Sequence, residues 1–445
     1  MSLINETLNW LNSQVPNEPE YLQAVSEVLP HIVPIVNANE AYKSNNVLQR
    51  ILLPQHVHQF AVQWENDNHE CEIHTGWRVQ HSNVLGPFKG GTRFHETVSL
   101  STLKFLAFEQ SFKNSLTGLQ IGAGKGGANF SPKERSQSEI RRFSKAYISA
   151  LRRQIGATVD VPAGDINVSD REIGYMFAEL LKQDNKHEGM LSGKPITLGG
   201  SELRLQATGY GVMYFVQRML NQINEDIAHK TICISGAGNV ALHTAEKATA
   251  MKAIVKTLSN SRGTLFVESG ITQPHINWLK QNSDAHSNAL EALTSELDGE
   301  YFDKHKPWHY QCDIAIPCAT QNEINKQDAN HLLGNTALAV VEGANMPCDS
   351  EAQKVINNSD LYFVPGKAAN AGGVVVSAFE MQQHTSMRYE TQSALDKRLQ
   401  NIMHHIHDDC LEESKALTND RVDYVKGANV RGFRKLADAI VASGF

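Results

Sequence analysis

Residues 119–130 read Leu-Gln-Ile-Gly-Ala-Gly-Lys-Gly-Gly-Ala-Asn-Phe, with the single lysine Lys125 among glycines. Glycine lets backbone turn tightly and lets a ligand approach. A lysine in such surroundings can be partly desolvated, which disfavours its charged form and makes it a base near neutral pH. The same fragment also suits a flexible surface loop carrying a solvated lysine. A phosphate-cradling loop fits poorly, because Leu119 stands where the first glycine belongs and Gly126 where a hydroxyl is needed. Asp165 ends Thr158-Val-Asp-Val-Pro-Ala-Gly-Asp, on a loop at the tip of an expected strand. A helix-capping role for it competes with Ser169-Asp-Arg-Glu172, which already forms a capping box. Gly86 to Phe94 is expected to be a turn presenting Lys89 and Arg93. Gln110 and Lys113, three apart on a helix, are surface neighbours that also suit a plain solvated face.

A second chemistry lies further along. Thr231-Ile-Cys-Ile runs into Gly236-x-Gly238-x-x-Ala241, with Asn239 and Val240 opening a helix to Met251. Between strand and helix this is a dinucleotide fingerprint, in which the glycines admit the pyrophosphate and the helix start attracts its charge. The next strand, Ala253 to Leu258, ends in Ser259-Asn260-Ser261-Arg262. An acid there would bind the ribose hydroxyls of NAD; a neutral amide and an arginine favour the 2′-phosphate of NADP. Later strands end in amides near Asn322, Asn345 and Asn370, at the carboxyl ends where ligands bind.

Several elements must position these residues. Apolar spacing predicts an entry helical region over Glu6 to Val36, broken by Pro16, Pro19, Pro30 and Pro34, then paired strands at Phe60 to Trp64 and Thr75 to Gln80. Helices are expected over Ser101 to Leu116, on a Phe105, Phe108, Phe112 and Leu116 stripe, then over 138–155, 171–182 and 207–220. The acidic stretch 288–303 reads as a solvated helix. His404, His405 and His407 read as a mostly exposed helix rather than a metal site, so no metal is expected.

The chain has 445 residues, which favours two domains. Hydrophobic residues at 41% and charged residues at 20% describe a globular composition. No apolar run is long enough to span a membrane. The first basic residue is Lys43, so the start lacks a secretory or transit character and a cytoplasmic protein is expected. Six scattered cysteines without a C-x-x-C pair predict buried free thiols. A net charge of -7 without a basic block argues against nucleic acid as partner.

Taken together these stretches resemble the hexameric glutamate dehydrogenases of bacteria and lower eukaryotes. The likeness is carried by Trp77-Arg-Val-Gln, Gly86 to Phe94, Lys104 to Leu116, Gly124-Lys-Gly-Gly, Asp160 to Asp165, Ala207 to Gly211, Gly236 to Ala241, Pro317 to Glu323, Glu342 to Pro347, Pro365 to Val374 and Gly427-Ala-Asn-Val-Arg-Gly-Phe. The resemblance implies reversible amination of 2-oxoglutarate by ammonia and NADPH to L-glutamate, in a homohexamer. It implies an α/β fold: a substrate and oligomerisation domain over 1–202, completed by a last helix near 421–445, and a Rossmann-like domain over 203–420, with a cleft between. By the same resemblance Lys125 and Asp165 are catalytic, and Lys89, Gln110, Lys113, Gly164 and Ser377 bind substrate. Thr208 and Asn239 join Gly236, Gly238, Val240, Ser259, Asn260, Arg262 and Asn345 in the cofactor pocket. Lys113 and Lys89 would add like charge near Lys125, and Lys89 would select a dicarboxylate over a branched aliphatic side chain, since a cation there would otherwise be unpaired. The chain departs from the family pattern at Gln120, Ile121, Ala123, Asn167, Ser169, Asp170, Gln206, Lys252, Asn260 and Ala378. Ala123 and Ala378 are expected to add methyl groups close to the substrate. These departures leave a second reading, a weak or inactive homologue that senses glutamate or nucleotide on the same fold.

Overall fold

The computed structural model describes residues 3–282, 288–295, 299–418 and 422–444. It divides into two compact units, Met1–Arg204 with Val376–Leu395 and Asn429–Phe445, and Leu205–Val375 with Asp396–Ala428. Each is α/β.

The first unit is built on five strands, β1 (His56–Glu65), β2 (Cys71–Ser82), β3 (Phe88–Phe94), β4 (Ala123–Ala128) and β5 (Asp160–Gly164), in the order β1-β2-β4-β3-β5. β1, β2 and β4 pair antiparallel, whereas β3 runs parallel to both β4 and β5. Two expectations change here. The Lys125 stretch is no loop but β4, an interior strand buried along its whole length, and the expected turn at Lys89 is β3. Glycine normally weakens a strand, but here its lack of a side chain is what permits close approach. A Cβ on Gly90 would lie 1.6 Å from the Gly124 carbonyl oxygen.

A third change concerns the entry helices. Leu3–Gln14 and Pro19–Asn37 form, and the latter runs unbroken through Pro30 and Pro34. Each interior proline costs about 3 kcal/mol. Buried Val25, Val28, Leu29, Ile32, Val33 and Val36 offset that, at about 1.5–3 kcal/mol per large apolar side chain. Packing wins over propensity. The helix Leu100–Leu116 buries Phe105, Phe108, Phe112 and Leu116 as expected, and Asp170–Asp184 begins with the Ser169–Glu172 capping box.

The second unit carries seven strands, β6 (Thr231–Ile234), β7 (Ile254–Ser259), β8 (Gly263–Phe266), β9 (Glu300–Asp303), β10 (Ile314–Ile316), β11 (Ala339–Val341) and β12 (Tyr362–Val364). Their order is β12-β11-β10-β6-β7-β8-β9, parallel from β12 to β7 and antiparallel beyond. β10 and β11 are wholly buried and β6 is buried after Thr231, as apolar runs in a covered parallel sheet should be. The acidic stretch is not one helix. It holds a short helix, Ala289–Ala292, and then β9 on the sheet edge, while 296–298 lie outside the described residues.

The histidine-bearing helix Gln392–Thr418 is less exposed than expected. Leu395, Leu399, Met403, Ile406 and Cys410 form a buried stripe, and His407 is buried beside it, 2.8 Å from the Tyr424 hydroxyl and 2.9 Å from Asp408. All six cysteines are free, and Cys71 departs from expectation by being exposed.

Candidate active site

In the first unit Arg78 on β2 and Asp160 at the start of β5 form a fully buried bidentate pair, with Nε to Oδ2 at 2.9 Å and Nη2 to Oδ1 at 2.5 Å. Arg78 also donates to the carbonyls of Gly90 and Gly91 on β3, and Gln80 donates to Asp160 at 2.9 Å. One guanidinium thereby ties β2 to β3 and β5. Neither partner announces itself in the sequence, since a buried pair across strands has no local spacing.

Lys125 and Asp165 meet beyond this pair. Lys125 Nζ lies 3.1 Å from Asp165 Oδ1, and Arg93 Nε donates to Asp165 Oδ2 at 2.8 Å. Burial pushes the Lys125 pKa down; Asp165 opposes this, and Arg93 and Arg78 add to it. Arg93 and Arg78 are thus cations that act on Lys125. Burial alone would raise the pKa of Asp165, but the charges of Lys125 and Arg93 outweigh it and hold the carboxyl well below the usual range. Gly91 keeps the place open: a Cβ there would lie 2.8 Å from Asp165 Cβ and 3.3 Å from Lys125 Nζ.

Lys89 is 1% exposed and donates to Val161 O at 3.1 Å and Ser192 Oγ at 2.7 Å. Its pKa is pushed down to about 7, first by burial, then by Arg78 and Arg204, with Glu380 and Asp160 opposing. Those two carboxylates are already engaged. Asp160 holds Arg78, and Glu380 accepts from Lys194 Nζ at 2.6 Å and from the Gly193 and Lys194 backbone N–H groups. The hydroxyl of Ser192 and the Lys194–Glu380 pair escape sequence reading, because Ser-Gly-Lys on an irregular segment carries no periodic signal.

Gln110 and Lys113 are half-buried on Leu100–Leu116, and Gln110 donates to Asn114 at 2.6 Å. Asn114 in turn donates to Gly122 O at 2.6 Å, which docks the helix on the segment entering β4. Gly164 ends β5 opposite Thr92. Ser377 is buried on Gly372–Ser386, one helical turn before Glu380. Ala123 lines a crevice with Ser82, Leu85, Ser111, Ile121 and Leu436; Lys89, Lys113, Lys125 and Asp165 do not line it.

The second unit holds the candidate nucleotide site. Gly236 takes φ +86°, a left-handed conformation that favours glycine, and its N–H donates to Ser259 Oγ at 3.1 Å. The helix Asn239–Ala250 starts at Gly238 with no side-chain cap. A Cβ on Gly238 would meet no atom within 4 Å, so open space faces the helix start, and the uncapped N–H groups suit a pyrophosphate. Asn239 Nδ2 donates to Leu205 O at 2.8 Å, just before the helix Ala207–Gln222 on which Thr208 lies. Val240 is half-buried in the first turn. Asn260 acts chiefly as a turn former: its side-chain oxygen accepts from the Arg262 and Gly263 N–H groups and from the Tyr301 hydroxyl. The Asn260 amide nitrogen is not used in this turn, and Arg262 is exposed. Asn345 is exposed after β11 and accepts from Asn370 Nδ2 at 3.0 Å. Glu342, next to it, is buried and accepts from the Gly366 N–H, and burial pushes its pKa up to about 7.

One unit with a fingerprint turn at the parallel strands of its sheet, and another with a buried lysine paired to a carboxylate, define the architecture of an amino-acid dehydrogenase. The sequence model "Glu/Leu/Phe/Val dehydrogenase, dimerisation domain" matches residues 54–182, and "Glutamate/Leucine/Phenylalanine/Valine dehydrogenase" matches 199–444. The chain belongs to this family. It is 48% identical to the NADP-specific glutamate dehydrogenase of Psychrobacter sp. (strain TAD1), over 99% of each chain. It is 42% identical to the NAD(P)-specific glutamate dehydrogenase of Xylanibacter ruminicola, again over 99% of each. The crystal structure of Plasmodium falciparum glutamate dehydrogenase superposes with a TM-score of 0.96 at 39% identity, covering 99% of this chain and 94% of that one.

Proposed function

We propose that the protein is an NADP-dependent glutamate dehydrogenase, catalysing reversible reductive amination of 2-oxoglutarate with ammonia to L-glutamate. The observation that carries this reading is the pairing of Lys125 with Asp165 at 3.1 Å in the unit where Lys89 is buried among neutral oxygens. A buried ammonium with only neutral partners is a ready receptor for a second carboxylate. Against a branched aliphatic side chain the same cation would stay unpaired, at a cost of several kcal/mol.

In this mechanism Lys89, with Ser377, holds the distal carboxylate of the substrate. Lys113 and Gln110 hold the carboxylate beside the reacting carbon, with the backbone at Gly164 completing the site. Held at both ends, the substrate has one orientation for its reacting carbon. Lys125, its proton affinity lowered by burial, takes a proton from the attacking water in deamination and returns it in the reverse direction. Asp165, ionised beside two cations, exchanges protons with the substrate nitrogen. NADPH, when bound, supplies the hydride. Gly236, Gly238, Asn239, Val240 and Ser259 would hold its pyrophosphate and ribose, Asn260 and Arg262 its 2′-phosphate, and Thr208 and Asn345 the remainder.

We further assign substrate binding and oligomerisation to residues 1–202 with the last helix, joined by Ser377 from the segment Val376–Leu395, nucleotide binding to the rest of 203–420, assembly to a homohexamer, and action in the cytoplasm. Among the described residues no helix is long and apolar enough to cross a membrane. Light scattering tests the assembly, and a monomer refutes it. The activity is tested by mixing the protein with 2-oxoglutarate, ammonium and NADPH and following loss of NADPH absorbance, with NADH and with 2-oxoisocaproate as comparisons. Turnover with 2-oxoglutarate that far exceeds both comparisons is expected. Absent turnover, or equal rates with 2-oxoisocaproate, would refute the reading; calorimetric binding of glutamate without any hydride transfer would establish a sensor instead.

A further inference from the structure

Asp165 is held by two cations on two different oxygens, Lys125 on Oδ1 and Arg93 on Oδ2. The Arg93 and Asp165 side chains are 16% and 18% exposed and Lys125 only 6%, so the arginine and the carboxylate stand at the more open side of the cluster. Arg93 extends from β3, whose register against β5 places Thr92 opposite Gly164, the residue before Asp165. Its approach to Asp165 is thus fixed by two paired strands, whereas Asp165 itself lies past the end of β5. A carboxylate on a short loop can rotate, and a reacting nitrogen needs one particular oxygen in one place.

Resting on the activity proposed above, we propose that Arg93 is the positioning residue of the Lys125–Asp165 pair: by holding Oδ2 it presents Oδ1 alone to Lys125 and to the substrate nitrogen. It acts through Asp165 and is no ligand of the substrate. Its charge has a second effect, because Asp165, Arg93 and Arg78 all bear on Lys125. Asp165 lies in addition within the field of Arg204. Of the two arginines on Lys125, Arg78 is committed to Asp160 by a bidentate pair. Removal of Arg93 therefore frees the carboxylate to rotate and lets Lys125 keep its proton to higher pH.

The test compares wild type with Arg93→Met, Arg93→Gln and Arg93→Lys, each checked for native circular dichroism. In the uncharged variants kcat for glutamate oxidation falls about 10- to 100-fold, KM for glutamate changes less than about threefold, and the acid limb of the kcat profile moves up by about one pH unit. Arg93→Lys restores the position of the acid limb and part of kcat, because it returns the charge without the guanidinium geometry. Wild-type kcat in the uncharged variants, a loss confined to KM, or an equal loss in all three variants with an unmoved acid limb each overturns the proposal. A readout independent of turnover is the pH dependence of Lys125 acetylation by acetic anhydride, read by peptide mass spectrometry. Identical labelling curves in wild type and Arg93→Gln overturn the proposal even in a wild type that turns over no 2-oxoglutarate. That last result would sink the activity and leave the labelling to decide the role of Arg93.

Discussion

Asp160→Asn isolates the buried pair that ties β2, β3 and β5. Both partners are fully buried, and Asp160 accepts three hydrogen bonds, two from Arg78 and one from Gln80. The asparagine keeps the shape but removes the charge, and its amide nitrogen faces donors where an acceptor stood. Arg78 then remains as a buried guanidinium with no opposite charge, held by the Gly90 and Gly91 carbonyls at 3.2 and 3.3 Å and by at most the one remaining side-chain oxygen, for which Gln80 also competes. Breaking one side of such a pair costs about 3–5 kcal/mol. With an m-value of about 3 kcal/mol/M in urea, the upper end of the small-protein range and apt for a large unit, the midpoint falls by about 1–1.7 M. The assay is equilibrium urea unfolding at fixed protein concentration, so that assembly does not shift the curve, followed through Trp64 and Trp77 on β1 and β2. The double variant Arg78→Met, Asp160→Leu removes both charges and is expected to recover most of the loss. A midpoint within about 0.3 M of wild type in Asp160→Asn, less than about 1 kcal/mol, would refute the view that this pair holds the three strands together.

Three other outcomes follow from the same geometry. Lys89, with its pKa pushed down to about 7, is charged below that pH in the free enzyme and neutral above it, so KM for 2-oxoglutarate should rise up to about tenfold per unit above pH 7; a KM flat from about pH 6.5 to 9 would contradict it. Gly91→Ala drives a methyl to within 2.8 Å of Asp165 Cβ, so kcat should drop at least about tenfold with the fold intact by circular dichroism, and unchanged kcat would show that the pair tolerates displacement. Gly238→Ala meets no protein atom whereas Gly236→Ala takes a left-handed φ, so the first should raise KM for NADPH without loss of thermal stability and the second should lose about 1–2 kcal/mol; equal stability losses in both would dismiss the distinction.

The local elements were largely legible from the chain. The Leu100–Leu116 stripe, the Ser169 capping box and the strand–glycine–helix order at Thr231 to Ala250 all rest on contacts between residues close in sequence. The acidic stretch went wrong because charge spacing says nothing of a sheet edge, and β9 forms by pairing with β8. The prolines of Pro19–Asn37 were misread because the burial that overrides them comes from elsewhere in the fold. His407 looked exposed for the same reason, its partner Tyr424 being seventeen residues away.

For the site the division is sharper. Lys89, Lys125 and Asp165 could be chosen from residue type, glycine context and family likeness, since a chemical group is written in the sequence. Their environment is not. That the glycines around Lys125 make a buried strand, that Arg93 and Arg78 supply its positive field, and that Ser192 completes the partners of Lys89 depend on β3 lying between β4 and β5. Burial and charge act through space over a few ångströms, between residues as far apart as Lys89 and Ser192. The sequence alone therefore named the candidate reacting groups, and only the tertiary structure decided which neighbours set their charge.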